Sequence, residues 1–283
     1  MYKTLAAGAI GVQFKSLADA VAAAKKYGFA GLEFSAVELA DLIEAQGVGA
    51  AKELFESAGI KPAVFGLSVN WRGSEKEFAQ SLAAFPRLAK AAQAVGCTRT
   101  ATWIMPCSND RAFAENRAFH IERLKPVAKI LSDNGISFGL EFIGPKTLRD
   151  SQKYPFIHTM EDMLAMGAEI GSNVGLLLDS FHWYTSHAEL ADLHALKANQ
   201  IVYVHVNDAQ ANLGIDQQLD NVRDLPGATG VIDLAGFMRA LMKIEYNGPV
   251  AVEPFKKELG QLANDGERLS KVTKALDGIM PKE

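Results

Sequence analysis

The chain has 283 residues, 48% of them hydrophobic and 22% charged, with a formal net charge of −4. Acids and bases are mixed along it, which excludes a basic nucleic-acid stripe and an acidic tail. The only two cysteines, Cys97 and Cys107, lack metal-type spacing, and no run approaches the ~20 apolar residues of a membrane span. The opening "MYKTLAAGAIGVQF" has neither a basic flank nor an uninterrupted apolar stretch. A soluble protein of the reducing cytoplasm is therefore expected.

In chain order, the sequence repeats one phrase: a helical stretch, a glycine, then a short apolar strand. It occurs in "AAAKKYGFAGLEF", "ELFESAGIKPAVFGL", "AAQAVGCTRTATWI", "ILSDNGISFGLEF", "AEIGSNVGLLLD" and "MKIEYNGPVAVEP". Gly28, Gly59, Gly96, Gly135 and Gly248 stand where a helix ends, and are expected to take positive φ there. Ser74 and Glu77 form a capping box ahead of a helix whose apolar face carries Phe78, Leu82, Phe85 and Leu88, and Pro86 within it predicts a kink. Thr159 and Asp233 read as the N-caps of later helices.

Eight strands are predicted, near residues 4–10, 30–34, 61–67, 98–104, 137–142, 174–179, 201–206 and 249–253. They are continuously apolar, as strands covered on both faces of a parallel sheet are. Eight such units in a chain of this length predict a closed α/β barrel, (β/α)8, as a single domain over residues 1–283. The open doubly wound sheet is the competing arrangement, but no G-x-G-x-x-G turn follows the first strand. The longest stretch without periodicity, Asn207 to Ile232, precedes the last helix-strand unit. Loops of that length are usually functional or mobile.

Barrel enzymes place their chemistry at the C-terminal ends of the strands. Here strands five to eight, "SFGLEF", "VGLLLD", "IVYVHVND" and "PVAVEPF", deliver Glu141, Asp179, His205 and Glu253 to one opening. A lone glutamate at a strand end is ordinarily solvated, and a lone histidine in an apolar strand ordinarily belongs to the core. Four such residues on consecutive strands point instead to a metal site, because three gathered carboxylates repel unless a cation or protons intervene. An oxygen-rich set with one imidazole suits Mn²⁺, Mg²⁺ or Co²⁺, with Zn²⁺ compatible.

Around that opening several residues carry two readings. His182 either points into the site or caps the next helix. Asp208 either orients a ligand histidine or begins a turn. Glu33 either makes a salt bridge inside the barrel or touches substrate. Trp103 is read as lining the site, whereas Trp71 and Trp183 could equally pack beneath loops. Lys146 and Arg149, in the loop after Glu141, either bind a substrate phosphate or carboxylate or are solvated.

The segments "YGFAGLEF", "GLEFIGPKTLR", "LLLDSFHWY", "VHVNDA" and "VEPF" together resemble the xylose isomerase-like TIM barrels, over essentially the whole chain. By that similarity Glu141, Asp179, His205 and Glu253 match the family's metal ligands. Glu141 and Glu253 also match its pair of acid/base carboxylates. His182 matches a substrate-contacting histidine in a D-x-x-H arrangement, and Arg223 resembles an arginine that binds substrate oxygens.

The resemblance implies a divalent-metal-dependent isomerase or epimerase of a keto sugar or cyclitol, acting through an enediolate. A lyase or dehydratase using the same enolate, inosose dehydratase-like or 3-keto-glycoside-cleaving, is the alternative. An AP endonuclease is disfavoured: its trinuclear zinc site needs further histidines, and strand ends "VFGLSV" and "ATWIMP" have none. The implied partner is a small carbohydrate or cyclitol, with no nucleic acid and no membrane. Homo-oligomerisation is left open.

Overall fold

The computed structural model describes residues 1–281; Lys282 and Glu283, the last two of the expected domain range, lie outside the described residues. Eight parallel strands close into a barrel: β1 Tyr2–Leu5, β2 Gly31–Phe34, β3 Lys61–Gly66, β4 Arg99–Ile104, β5 Ser137–Phe142, β6 Val174–Asp179, β7 Ile201–Val206 and β8 Pro249–Val252. Each pairs with its neighbours in sequence order, and β8 returns to β1 through Tyr2 opposite Pro249. A two-residue antiparallel ribbon, Cys107–Ser108 with Tyr154–Pro155, adds a rim beyond β4 and β5. Among the described residues no helix is long and apolar enough to cross a membrane.

Two cores follow from the closure. One lies inside the barrel and is narrow: Ala6, Ala63, Val64, Leu177, Tyr203 and Ala251, with Tyr2, Ala9 and Ala101 against them. The larger fills the space between the strands and the outer helices, where Phe65, Phe85, Phe138 and Phe237 are fully buried. Side chains alternate along a strand. Leu177, Tyr203 and Ala251 therefore place Asp179, His205 and Glu253, two residues further on, over the same inner face.

The expected helix starts are present. Ser74 accepts from the Glu77 N–H and Glu77 reaches back, so both halves of the capping box form. Thr159 and Asp233 accept from Asp162 and Gly236 at the starts of Met160–Ile170 and Leu234–Lys243. The helix containing Pro86 runs on from Glu75 to Ala94 without a break. In the outer layer Gly47 (φ 85°) interrupts the helical stretch Ala36–Glu56.

Two expectations need correction. The first strand ends at Leu5, not near residue 10, because Gly8–Ile10 turns as a 3-10 helix closed by Gly11 at φ 71°. Gly28, Gly59, Gly96 and Gly135 take positive φ as expected, but Gly248 does not; Glu245 adopts φ 61° at that helix end instead. Gly248 answers a different need, since a Cβ there would collide with the Tyr246 ring.

Candidate metal centre

Glu141, Asp179, His205 and Glu253 converge at the barrel mouth, and one donor atom from each lies within 4.8 Å of the others. The first three are buried, and Glu253 is partly so. Glu141 Oε1 and both ring nitrogens of His205 are buried without a hydrogen-bond partner among the described residues. Nδ1 of His205 stands 3.4 Å from Glu253 Oε2, out of line for a hydrogen bond, and 3.8 Å from Glu141 Oε1, too far for one. Orphaned donors and acceptors in such a place are costly unless a further group satisfies them. Three oxygen donors and one imidazole turned to a common point fit a divalent cation.

The charges are strongly unequal. Burial, reinforced by Glu253 and Asp179, pushes the Glu141 carboxyl well above the usual carboxylate range. Burial has the same tendency at Glu253, but His205 and Arg223 outweigh it and hold that carboxyl below its ordinary value. At His205 burial opposes the charge, yet Glu253 and Asp179 prevail and the imidazole titrates above its usual value.

Arg223 is buried beneath this group. Its Nη1 donates to Asp179 Oδ2 at 2.8 Å and to Glu253 Oε2 at 3.2 Å. Its Nη2 and Nε donate to Asp220, at Oδ1 (2.9 Å) and the carbonyl (2.7 Å). Phe181 and Phe255 flank the guanidinium at 4.9 and 5.0 Å. The structure thus sets Arg223 against the ligand carboxylates, where a neighbouring positive charge lowers their mutual repulsion.

His182 is fully buried on the short helix Ser180–Thr185 that follows β6. The main-chain N–H of Gly144 donates to its Nδ1 at 3.2 Å. Only glycine allows that approach, since a Cβ at 144 would strike the His182 carbonyl and the Thr185 hydroxyl. Burial, then Arg223, lowers the imidazole to about 3, so the ring is neutral. Arg223 Nη2 stands 3.1 Å from its Nε2, so both ring nitrogens face N–H donors; Nε2 also lies 3.8 Å from Glu141 Oε1 and 3.7 Å from Asp220 Oδ1.

Other expected site residues fall in three places. Trp103 stands at the mouth, 45% exposed and opposite Glu141 in the β4–β5 register. Glu33 lies deeper in the barrel and accepts from the Tyr203 hydroxyl at 3.0 Å, its carboxyl pushed up by burial. Lys146 sits on the exposed turn Lys146–Arg149, 3.7 Å from Asp150, and touches none of the four donors. Trp71 and Trp183 are buried, and Trp183 donates to the Glu189 carbonyl beneath a loop.

Asn207 and Asp220, in the loop after β7, were not legible as partners of the site. Asn207 donates to both oxygens of Asp179 and accepts from the Glu253 N–H at 2.9 Å. Asp220 receives Arg223, as above. Asp208, instead of meeting a histidine, accepts from the N–H groups of Ala209, Thr229, Gly230 and Ile232. That carboxylate, with the Asp208–Asp224 bridge, folds residues 207–232 into a fixed shape over the mouth. For Asn207 the available signal was only the polar pair "ND" directly after an apolar strand; Asp220 had none.

The chain is similar in sequence and fold to several known proteins. The chain is 23% identical over 263 residues to the inosose isomerase of Bacillus velezensis, covering 91% of this chain and 90% of that one. It is 27% identical over 150 residues to the L-ribulose 3-epimerase of Methylomonas sp. (strain DH-1), 52% of this chain and 46% of the relative. A xylose isomerase domain protein from Alicyclobacillus acidocaldarius superposes with a TM-score of 0.85 at 29% identity, covering 99% of this chain and 98% of that one. The family model described as "Xylose isomerase-like TIM barrel" matches residues 21–277, and the chain belongs to that family.

Proposed function

We propose that this chain is a divalent-metal-dependent isomerase or epimerase of a keto sugar or cyclitol, with Glu141 and Glu253 as its acid/base pair. The observation that carries the reading is the set of orphaned atoms, Glu141 Oε1 and both His205 nitrogens, facing two further carboxylates at the mouth. The inosose isomerase and 3-epimerase relatives support the substrate class.

Glu141, Asp179, His205 and Glu253 would hold the ion. Bound there, Mn²⁺, Mg²⁺, Co²⁺ or Zn²⁺ would supply Lewis-acid polarisation of a substrate carbonyl and stabilise the enediolate charge. Glu141 and Glu253 project from β5 and from beyond β8, on opposite flanks of β6 and β7. A carboxylate on one flank takes the proton from the carbon beside the carbonyl, and the carboxyl on the other returns one. Return to the opposite face of the same carbon inverts it; return to the neighbouring carbon moves the carbonyl. His182, neutral and held between the Gly144 N–H and the Arg223 guanidinium, is the substrate-contacting histidine of this reading. Arg223 moderates the charge of the ligand carboxylates from below.

Elemental analysis of the purified protein, with a deuterium-exchange screen by nuclear magnetic resonance over keto sugars and inososes, tests the reading. Solvent deuterium entering beside the ketone without loss of a group is the expected result. Release of water or an aglycone would convert the assignment to a lyase. Failure to bind any divalent ion after reconstitution would remove its basis.

A further inference from the structure

Arg72 lies in the loop after β3 with its guanidinium between two indoles, 4.0 Å from the Trp71 ring and 3.9 Å from the Trp103 ring. A guanidinium stacked on both faces has only its planar edge left for polar contacts. One Nη2 proton goes to the Trp103 carbonyl. The side chain makes no other hydrogen bond and no ion pair among the described residues. The residue is exposed, and partial desolvation by the two rings lowers it to about 10, which leaves it charged at neutral pH.

The two walls differ. Trp71 is buried, with Nε1 3.4 Å from Thr102 Oγ1 and its ring 5.2 Å from that of His120. Trp103 is the exposed wall. Ala101 belongs to the apolar filling of the barrel, so Trp103, two residues on, faces the same interior at the level of Glu141. The stack therefore stands on the rim next to a carboxylate of the metal centre. Three carboxylates at that centre repel an anionic tail, and the edge of Arg72 offers it a cationic seat to one side.

We propose that Arg72 is a specificity-determining residue that receives an anionic group, phosphate or carboxylate, of a substrate whose reacting carbons lie over Glu141 and Glu253. The assignment rests on the mouth being the site described under the proposed function, and it narrows the substrate class to acidic sugars or their phosphates. Trp71 and Trp103 hold the guanidinium plane in one orientation, as bidentate recognition of such a group requires.

The test needs no turnover, so its failure is separable from failure of the isomerase assignment. Inorganic phosphate and acetate are titrated into metal-free and Mn²⁺-loaded protein, followed by tryptophan fluorescence and calorimetry, for wild type, R72M and R72K. Saturable binding that perturbs tryptophan emission is expected in wild type, at least tenfold weaker in R72M and partly restored in R72K. The tighter of the two probes identifies the group as phosphate or carboxylate. Equal affinity in wild type and R72M overturns the proposal, because the anion is then held by the ion or elsewhere. Absence of saturable binding in wild type overturns it equally, leaving Arg72 a clip between the β3 loop and β4.

Discussion

Asn207 holds Asp179 from behind: its Nδ2 donates to Oδ1 at 3.1 Å and to Oδ2 at 2.9 Å, while its Oδ1 accepts from the Glu253 N–H. One amide thus aligns candidate ligands from two strands. Replacing it with alanine leaves a buried carboxylate short of donors and a buried N–H without an acceptor. Partners of this kind are worth about 10–100-fold in metal affinity. N207A is expected to weaken Mn²⁺ binding by that order in calorimetry. A change of less than twofold would show that the amide does not position the site.

The metal-free centre should bind its ion more tightly as pH rises. Burial and the Glu253 and Asp179 charges make Glu141 hold its proton above the carboxylate range, and acidic neighbours make His205 hold its own above the imidazole value. Both protons must leave before those atoms can ligate. Affinity then grows about tenfold per pH unit for each proton displaced, and flattens once both groups have lost their protons. Mn²⁺ titrations between about pH 5 and 8.5, in buffers of different ionisation enthalpy, count the protons released. A flat profile without proton release is the contrary result.

Function and stability are opposed at Glu141. Its folded-state carboxyl titrates above that of the unfolded chain, so the metal-free protein loses stability as pH rises through that range. E141Q removes the ionisation. In chelator at pH 8 the variant should melt above wild type, by roughly 2–4 °C per kcal/mol relieved in a protein of this size. The gap should narrow at pH 5, where wild-type Glu141 is protonated. The same variant should lose Mn²⁺ affinity and about 10²–10⁴-fold of any turnover. Differential scanning calorimetry at the two pH values would falsify the account if E141Q melted lower than wild type at both.

The loop 207–232 depends on Asp208. Four main-chain N–H groups converge on its buried carboxylate, and D208A would leave all of them without an acceptor. A loss of about 2–4 kcal/mol is expected, since each hydrogen bond to a charged group is worth ~1.5–3 kcal/mol and local relaxation recovers part. Urea unfolding measures the loss. Limited proteolysis should show new cleavage near Leu213 and Leu219, and an unchanged digestion pattern would mean that the Asp208–Asp224 bridge alone shapes the loop.

Legibility of the sequence varied with how local the cause was. The bounds of β5, β6 and β7 match the expected runs residue for residue, because each run is buried on both faces; β6 ends on Asp179 and β7 gives way to Asn207, while β5 is stopped by Gly144 and Pro145. In "LAAGAIG" the same apolar character misled, since it specifies burial and not direction. The chain turns at Gly8–Ile10, with Ala6 and Ala9 inside the barrel and Ile10 in the outer core. Gly248 shows the same limit: the residue type announced a need for glycine, but only the Tyr246 ring beside it shows that the need is space and not positive φ.

By itself, then, the sequence determined the barrel and the acids and imidazole that its last four strands present, because strand period and helix ends are set by neighbours along the chain. Tertiary closure decided the rest. It put Asn207 behind Asp179, twenty-eight residues away in the chain. It turned Arg223 onto the ligand carboxylates and set His182 between the Gly144 N–H and that guanidinium. It also brought Trp103 of β4 against Arg72, whose other wall is its chain neighbour Trp71. Hydrogen-bond partners and desolvation are properties of the closed barrel, and no periodicity in a chain records which strand ends will face one another.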